Sequence, residues 1–193
     1  MAVYLVTGAA GHLGGALLET LRREAAPDVR FRALVRERPL DPELARGCEV
    51  VRGDLERPET LDLAALAEDV TDVFHCAAAT RFDLPLEALR RANVGGTAAA
   101  LAIARRAAAG GRFRRFHHVS TAYVGGGVEG VFRENDAARV SAARNGYERS
   151  KGEAEALVHV SELPFTVYRP SVIVGDSRTG RTTSYNVLYP PVR

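Results

Sequence analysis

Tyr147 and Lys151 stand four residues apart in a stretch of helical composition, so the phenol and the amine share one helix face. A free phenol titrates near 10 and carries protons poorly at neutral pH, but a neighbouring ammonium favours phenolate and brings it into range. A strand over residues 114–120 delivers Ser120, Thr121 and Tyr123 at its end, which puts their hydroxyls at the carboxyl edge, where open parallel sheets bind ligands. Gly8, Gly11 and Gly14 follow another apolar run and lead into a helical pattern. Glycine lets a backbone approach a ligand closely, and a helix N-terminus offers unpaired N–H groups to an anion. A diphosphate suits that turn. Each signal also has a plain explanation: turn chemistry for the glycines, and an amphipathic helix with a surface lysine for the tyrosine and lysine.

The elements that must position these groups alternate strand and helix. After the first helix, fading near residues 25–27, a second strand over 29–35 ends in Arg36. The residue past the second strand of a doubly wound sheet faces the adenosine ribose, where an acid accepts from a 2′-hydroxyl and an arginine pairs with a 2′-phosphate. Arg36 and Arg38 flank Glu37, which predicts NADP(H) in preference to NAD(H), with a solvated charged loop as the alternative. A third strand over 49–52 leads to Asp54, Leu55 and a helix opening near Pro58. Asp54 either accepts from an adenine amino group or caps that helix. A fourth strand over 72–79 ends in Ala77, Ala78 and Ala79, small enough for a dinucleotide to lie against the backbone. Residues 84–109 carry a long helical pattern interrupted at 93–97 and closed by Gly110 and Gly111. Asn93, inside it, is expected to bond backbone or ordered water. An irregular loop over 124–144 is long enough to be functional, and the helix over 145–158 carries Tyr147 and Lys151. A sixth strand over 165–169 runs into Pro170 and Ser171. This alternation predicts an α/β protein: a doubly wound parallel sheet with helices on both faces, a Rossmann fold, in an NAD(P)-binding domain over residues 1–176.

The 26 basic and 24 acidic side chains leave a formal charge of +2, which gives no footprint for nucleic acid or an anionic membrane. The expected partner is a small molecule. Cys48 and Cys76 read as buried free thiols on separate strands, out of metal-ligand spacing with the five histidines, so no metal site is expected. His75, His117 and His118 read as satisfied core histidines. Met1 runs into the first strand with no charged leader or long apolar stretch, which predicts a cytoplasmic protein without a membrane span.

Taken in order, Thr7, Gly8, Gly11 and Gly14, then Asp54 and Leu55, Ser120 and Thr121, Tyr147 and Lys151, and Arg169 and Pro170 resemble the motif set of an extended short-chain dehydrogenase/reductase. More narrowly, residues 75–78, 93–97, 119–124 and above all 168–180 look like the fatty acyl-CoA reductase and thioester reductase branch. Sugar epimerases of the wider family usually follow the arginine-proline with glycine; here Ser171 follows. The resemblance covers essentially the whole chain. It implies that Gly8, Gly11, His12, Leu13 and Gly14 hold the pyrophosphate, Arg36 the 2′-phosphate, and Asp54 and Leu55 the adenine. Ala77, Ala78 and Ala79 would line the cofactor's path, and Pro170 and Ser171 would bound the nicotinamide. Thr121, with Ser120 beside it as the lesser choice, would be the catalytic hydroxyl, and Tyr147 would protonate the reduced carbonyl oxygen. Lys151 would bind the nicotinamide ribose and depress the tyrosine pKa.

The implied activity is NADPH-dependent reduction of a carbonyl, foremost an acyl thioester of coenzyme A or a carrier, to aldehyde or alcohol. An NAD-dependent sugar epimerase or dehydratase, and a truncated dinucleotide-binding protein without catalysis, are the alternatives. Extended members enclose their substrate with a C-terminal lobe; residues 177–193 would be only its start, so that lobe is expected to be largely absent. Related folds often pair as homodimers through the helices that here carry Asn93 and Tyr147.

Overall fold

The structure, a computed structural model, describes residues 1–127, 129–180 and 182. Its first strand, β1 (Val3–Thr7), shows the period-two logic of the sheet: Val3 and Leu5 enter one apolar cluster, Tyr4 and Val6 the other. β1 is joined by β2 (Arg30–Val35), β3 (Cys48–Arg52), β4 (Asp72–His75), β5 (Arg115–Val119) and β6 (Phe165–Tyr168). All pairings are parallel, in the order β3-β2-β1-β4-β5-β6. The order reverses between β1 and β4, and at such a switch point the outgoing connections diverge and leave a crevice.

Helices cover both faces, as expected. Leu18 of α1 (His12–Glu24) and Leu44 of α2 (Pro42–Ala45) pack with Val6 and Phe31. Opposite them, Leu66 of α3 (Leu63–Ala67), Ile103 of α5 (Gly96–Ala109) and Val158 of α6 (Gly146–His159) close over Leu5, Val73 and Phe116. The alanine-rich α5 is thin, which lets it lie close to the sheet, and its Ala100 and Ala104 are fully buried.

Several local expectations are corrected. Pro58 starts only a 3-10 turn (Pro58–Thr60); α3 begins at Leu63 because Asp62 accepts from the N–H groups of Ala64 and Ala65 at 3.0 Å each, a true N-cap. The pattern over 84–109 is not interrupted. A short α4 (Leu86–Leu89) passes through a π-helical turn (Arg90–Gly95) into α5, and the wider winding accommodates Asn93 as a buried residue. β4 stops at His75, four residues short of Ala79, so Cys76 lies past the strand and is only half-buried, as is Cys48 at the start of β3. Two 3-10 turns, Ala122–Gly125 and Val140–Ala142, fall in and beside the stretch expected to be an irregular loop.

Buried polar side chains mostly find partners. Arg32, on β2, donates to Glu49 at 2.8 Å and to the carbonyls of Ala65, Leu66 and Glu68, placing a guanidinium on the C-terminus of α3. His75 lies between the hydroxyls of Thr7 (2.8 Å) and Thr97 (3.1 Å), and His117 bonds the Tyr168 hydroxyl at 3.0 Å. His118 departs from the satisfied-core expectation: fully buried, it has no hydrogen-bond partner among the described residues at either ring nitrogen. The flanking rings explain this, since Phe116 offers only a π surface and the nitrogens of His75 are already engaged by the two threonines.

Of the stretch 177–193 assigned from the sequence to a second lobe, only 177–180 and 182 are described; the remainder lies outside the described residues. Among the described residues no helix is long and apolar enough to cross a membrane, and no cluster of His, Cys, Asp or Glu is placed to hold a metal.

Candidate active site

The crevice begins at the glycine turn. Gly8 adopts φ +70°, and a Cβ there would stand 2.6 Å from the backbone nitrogen of Ala77. At Gly14 a Cβ would stand 2.2 Å from the Gly8 carbonyl oxygen, so α1 packs directly on the turn that precedes it. Gly11 donates to that same carbonyl at 2.9 Å and heads α1 as an N-cap without a side chain. The N-cap therefore brings no side-chain acceptor of its own to the first turn of the helix, a geometry suited to an anion.

From this turn two adjoining cavities of about 380 Å³ each run along the carboxyl edge of the sheet, sharing Gly8, Gly11, Arg38, Cys76 and Ala78. One is bounded by His12, Leu13 and Gly14 on one side and by Thr121, Tyr147, Lys151, Pro170 and Ser171 on the other. The second is bounded by Arg36, Asp54, Leu55, Ala77 and Ala79. The fold thus brings every residue picked from the sequence for the site to one cleft. In the second cavity the Asp54 carboxylate accepts from the N–H of Glu56 at 3.0 Å and from Arg57 at 3.2 Å, so it braces the turn after β3 and does not cap a helix. Two oxygens leave it lone pairs for a further donor.

In the first cavity α6 presents the tyrosine and lysine. Asn145 caps α6 by accepting from the Glu148 N–H at 2.9 Å, while buried Glu148 takes the N–H of Arg144 at 2.8 Å. Lys151 is 3 % exposed and donates to the Val119 carbonyl at 2.7 Å, tying α6 to the end of β5. Burial brings its pKa down to about 8, against the opposing pull of Glu155 and Cys76. The Tyr147 ring meets Phe82 edge to face at 5.0 Å. Burial pushes its phenol up, a hydrogen bond with Thr121 opposes this, and Tyr123 adds to the rise. From the sequence, the ammonium and a bound cofactor's positive charge together are expected to lower the phenol; the chain's own groups, burial foremost, leave it raised.

Supporting contacts fix both walls. Asn93 grips Ala79 by both backbone groups, accepting from its N–H at 2.7 Å and donating to its carbonyl at 3.1 Å. The same amide donates to Ser150 Oγ at 2.9 Å, and Ser150 donates to the Tyr147 carbonyl at 2.9 Å. One buried asparagine therefore sets the alanine wall against α6. Arg169 joins fully buried Glu155 at 2.5 Å and donates to the carbonyls of Arg133 and Asp136, pinning the loop before α6 to the sheet. Thr121 Oγ1 accepts from the Tyr123 N–H at 3.3 Å, while Ser120, which also lines the cavity, has a buried hydroxyl with no partner among the described residues.

Sequence reasoning missed Phe82, whose ring meets those of both Tyr147 and Tyr123 edge to face, and Glu56, which ion-pairs with Arg36 at 2.8 Å. Phe82 sits in a short aperiodic stretch after β4, and no spacing rule distinguishes it. For Glu56 a signal was present, an acid two residues past Asp54, where an Asx turn would aim it back at the second strand.

A nicotinamide dinucleotide fits these residues: an uncapped helix start, glycines that bring backbone to the cleft, and an orphan hydroxyl in its wall. A doubly wound sheet with this glycine turn at its switch point, and a tyrosine four residues before a lysine in the same cleft, fits the pattern of an extended short-chain dehydrogenase/reductase. The chain belongs to the male sterility protein family, whose model matches residues 22–192. It is 36% identical over 179 residues to a 4-hydroxy-2-methyl-3-oxo-4-farnesyl-3,4-dihydroquinoline-1-oxide ketoreductase of Stigmatella aurantiaca, covering 90% of this chain and 51% of that protein. To a linear gramicidin synthase of Brevibacillus parabrevis it is 32% identical over 215 residues, 96% of this chain and 4% of the larger protein. The crystal structure of the terminal R domain from the myxalamid PKS-NRPS biosynthetic pathway matches with a TM-score of 0.83 at 32% identity, over 95% of this chain and 52% of that one. The chain thus spans about half the length of the ketoreductase and of the R-domain chain.

Proposed function

We propose that the chain binds NADP(H) along the cleft and reduces a carbonyl, foremost an acyl thioester of coenzyme A or a carrier protein, to aldehyde or alcohol. The observation that carries this reading is the convergence of Thr121, Tyr147 and Lys151 on the cavity that the glycine turn also lines. In this reading residues 1–176 form the dinucleotide-binding domain, and residues 177–193 open the lobe that receives substrate.

Gly8, Gly11, His12, Leu13 and Gly14 take the diphosphate, Arg36 the 2′-phosphate, and Asp54 and Leu55 the adenine. Ala77, Ala78 and Ala79 bound the path between, and Pro170 and Ser171 flank the nicotinamide end. When bound, the cofactor supplies a hydride. Tyr147 supplies the proton: a phenol raised by burial keeps its hydrogen at neutral pH, as a donor to the carbonyl oxygen must. Thr121, hydrogen-bonded to the phenol, aims it and gives the developing oxyanion a second donor. Lys151 would hold a ribose hydroxyl, and its lowered pKa leaves it still mostly protonated at pH 7. With a thioester, collapse of the protonated hemithioacetal breaks the C–S bond. The hydroxyl proton passes to the departing sulfur, and aldehyde and thiol are released.

The ketoreductase relative supports a second reading within the same chemistry, reduction of a ketone. Following NADPH absorbance with a long-chain acyl-CoA, an acyl-phosphopantetheine thioester and a ketone separates the two. Thioester-dependent consumption that falls about 10²- to 10⁴-fold in Tyr147→Phe supports the main reading. Consumption with the ketone alone favours the second, and an undiminished rate in Tyr147→Phe overturns the catalytic assignment.

A further inference from the structure

The adenosine half of the cleft holds an acid where a 2′-phosphate must be received. Glu56 lines the cavity together with Arg36 and Arg38, and its carboxylate accepts from Arg36 Nη1 at 2.8 Å. Its place is not incidental: the Asp54 carboxylate holds the Glu56 N–H at 3.0 Å, which turns the chain back toward the end of β2. Arg38 differs from Arg36. It borders both cavities, and among the described residues it has no hydrogen bond, ion pair or ring contact.

Resting on the reading that this cleft takes a dinucleotide, we infer that Glu56 sets the preference between phosphorylated and unphosphorylated cofactor by competing with the 2′-phosphate for Arg36. Arg38 supplies the standing positive charge. A phosphate dianion arriving beside Arg36 must displace the carboxylate and then lie next to it, so the acid weakens the phosphorylated ligand twice, once as a rival acceptor and once as a like charge. A 2′-hydroxyl meets neither penalty, because it carries no charge and leaves the Arg36–Glu56 pair intact. Two arginines therefore do not make the site strictly selective. Glu56 and Glu37, which lines the same cavity, hold the preference for the phosphorylated form to a modest ratio.

The test is fluorescence titration of the chain with NADPH and with NADH at low ionic strength, in wild type, Glu56→Gln, Arg38→Gln, Arg36→Gln and the double variant Arg36→Gln/Glu56→Gln. The Glu56 side chain is 30 % exposed and its ion pair lies at the surface, so its amide replacement leaves the fold intact. Glu56→Gln should tighten NADPH about three- to fivefold, the worth of an exposed ion pair, and move NADH less than twofold. Arg38→Gln should weaken NADPH about tenfold with little effect on NADH, and the gain from Glu56→Gln should shrink in the Arg36→Gln background, where only the like-charge part remains. An unchanged NADPH-to-NADH ratio in Glu56→Gln, or a gain as large without Arg36 as with it, overturns the inference while the cleft's function stands. Failure of wild type to bind either nucleotide overturns the dinucleotide reading and the inference with it.

Discussion

Replacing Lys151 by methionine should abolish turnover and yet stabilise the fold. The ammonium is almost wholly buried, and burial brings its pKa from 10.5 down to about 8. Between those values the unfolded chain holds a proton that the folded chain has released, so stability rises with pH across that window. Below it both states are charged, and the whole penalty stands: at 1.36 kcal/mol per pH unit, about 3 kcal/mol. Methionine keeps the apolar stem and removes the charge, but it forfeits the bond to the Val119 carbonyl, a loss of about 1 to 2 kcal/mol. The net gain at pH 7 is about 1 to 2 kcal/mol, which raises Tm by roughly 3 to 6 °C in a chain of this size. Near pH 10.5 the wild-type lysine has shed its charge, and the advantage should disappear or reverse. Calorimetric melting of both proteins at pH 7 and pH 10 reads the effect directly. A Lys151→Met protein less stable than wild type at pH 7, or one with the same gain at both pH values, refutes the reasoning.

Other outcomes follow from the supporting contacts. Asn93→Ala strips both backbone groups of Ala79 and the Ser150 hydroxyl of a partner, and should cost about 2 to 4 kcal/mol in urea unfolding with weakened nucleotide binding. Gly14→Ala sets a methyl against the Gly8 carbonyl, so NADPH titration should show binding reduced by an order of magnitude or more even where circular dichroism finds the sheet intact. Burial acts to raise the Asp72 carboxyl, but the His117 ring, whose Nε2 lies 3.8 Å away, and hydrogen bonds from Thr71 and Arg114 outweigh it and hold the group below its usual value. The stability Asp72 contributes is present above the pKa of a free carboxyl and is lost as pH falls through its depressed folded value. Arg114→Gln should therefore move the acid-unfolding midpoint upward, measured by circular dichroism across an acid titration.

The fold was legible because its signals are local. Apolar runs alternate with helical stretches, and glycine at positions 8 and 14 answers a steric demand that any larger residue would violate. Motif residues such as Thr121 and Pro170 could be placed at the cleft because the ends of parallel strands share one edge of the sheet. Long-range contacts were not legible. Nothing in its neighbours shows that Arg32 serves the C-terminus of α3, that Phe82 meets Tyr147 edge to face, or that Lys151 turns to a backbone carbonyl of β5. The same limit explains the phenol: its pKa follows foremost from burial, which spacing along a helix does not encode.

A crystal structure of the chain with NADPH bound tests the central claim most directly. The account predicts a diphosphate against the first N–H groups of α1 beside Gly11, and a nicotinamide ring between Ser171 and the Tyr147 hydroxyl, with Lys151 turned to the ribose. A nucleotide bound away from the glycine turn, or bound there with Tyr147 facing away from the ring, would contradict it.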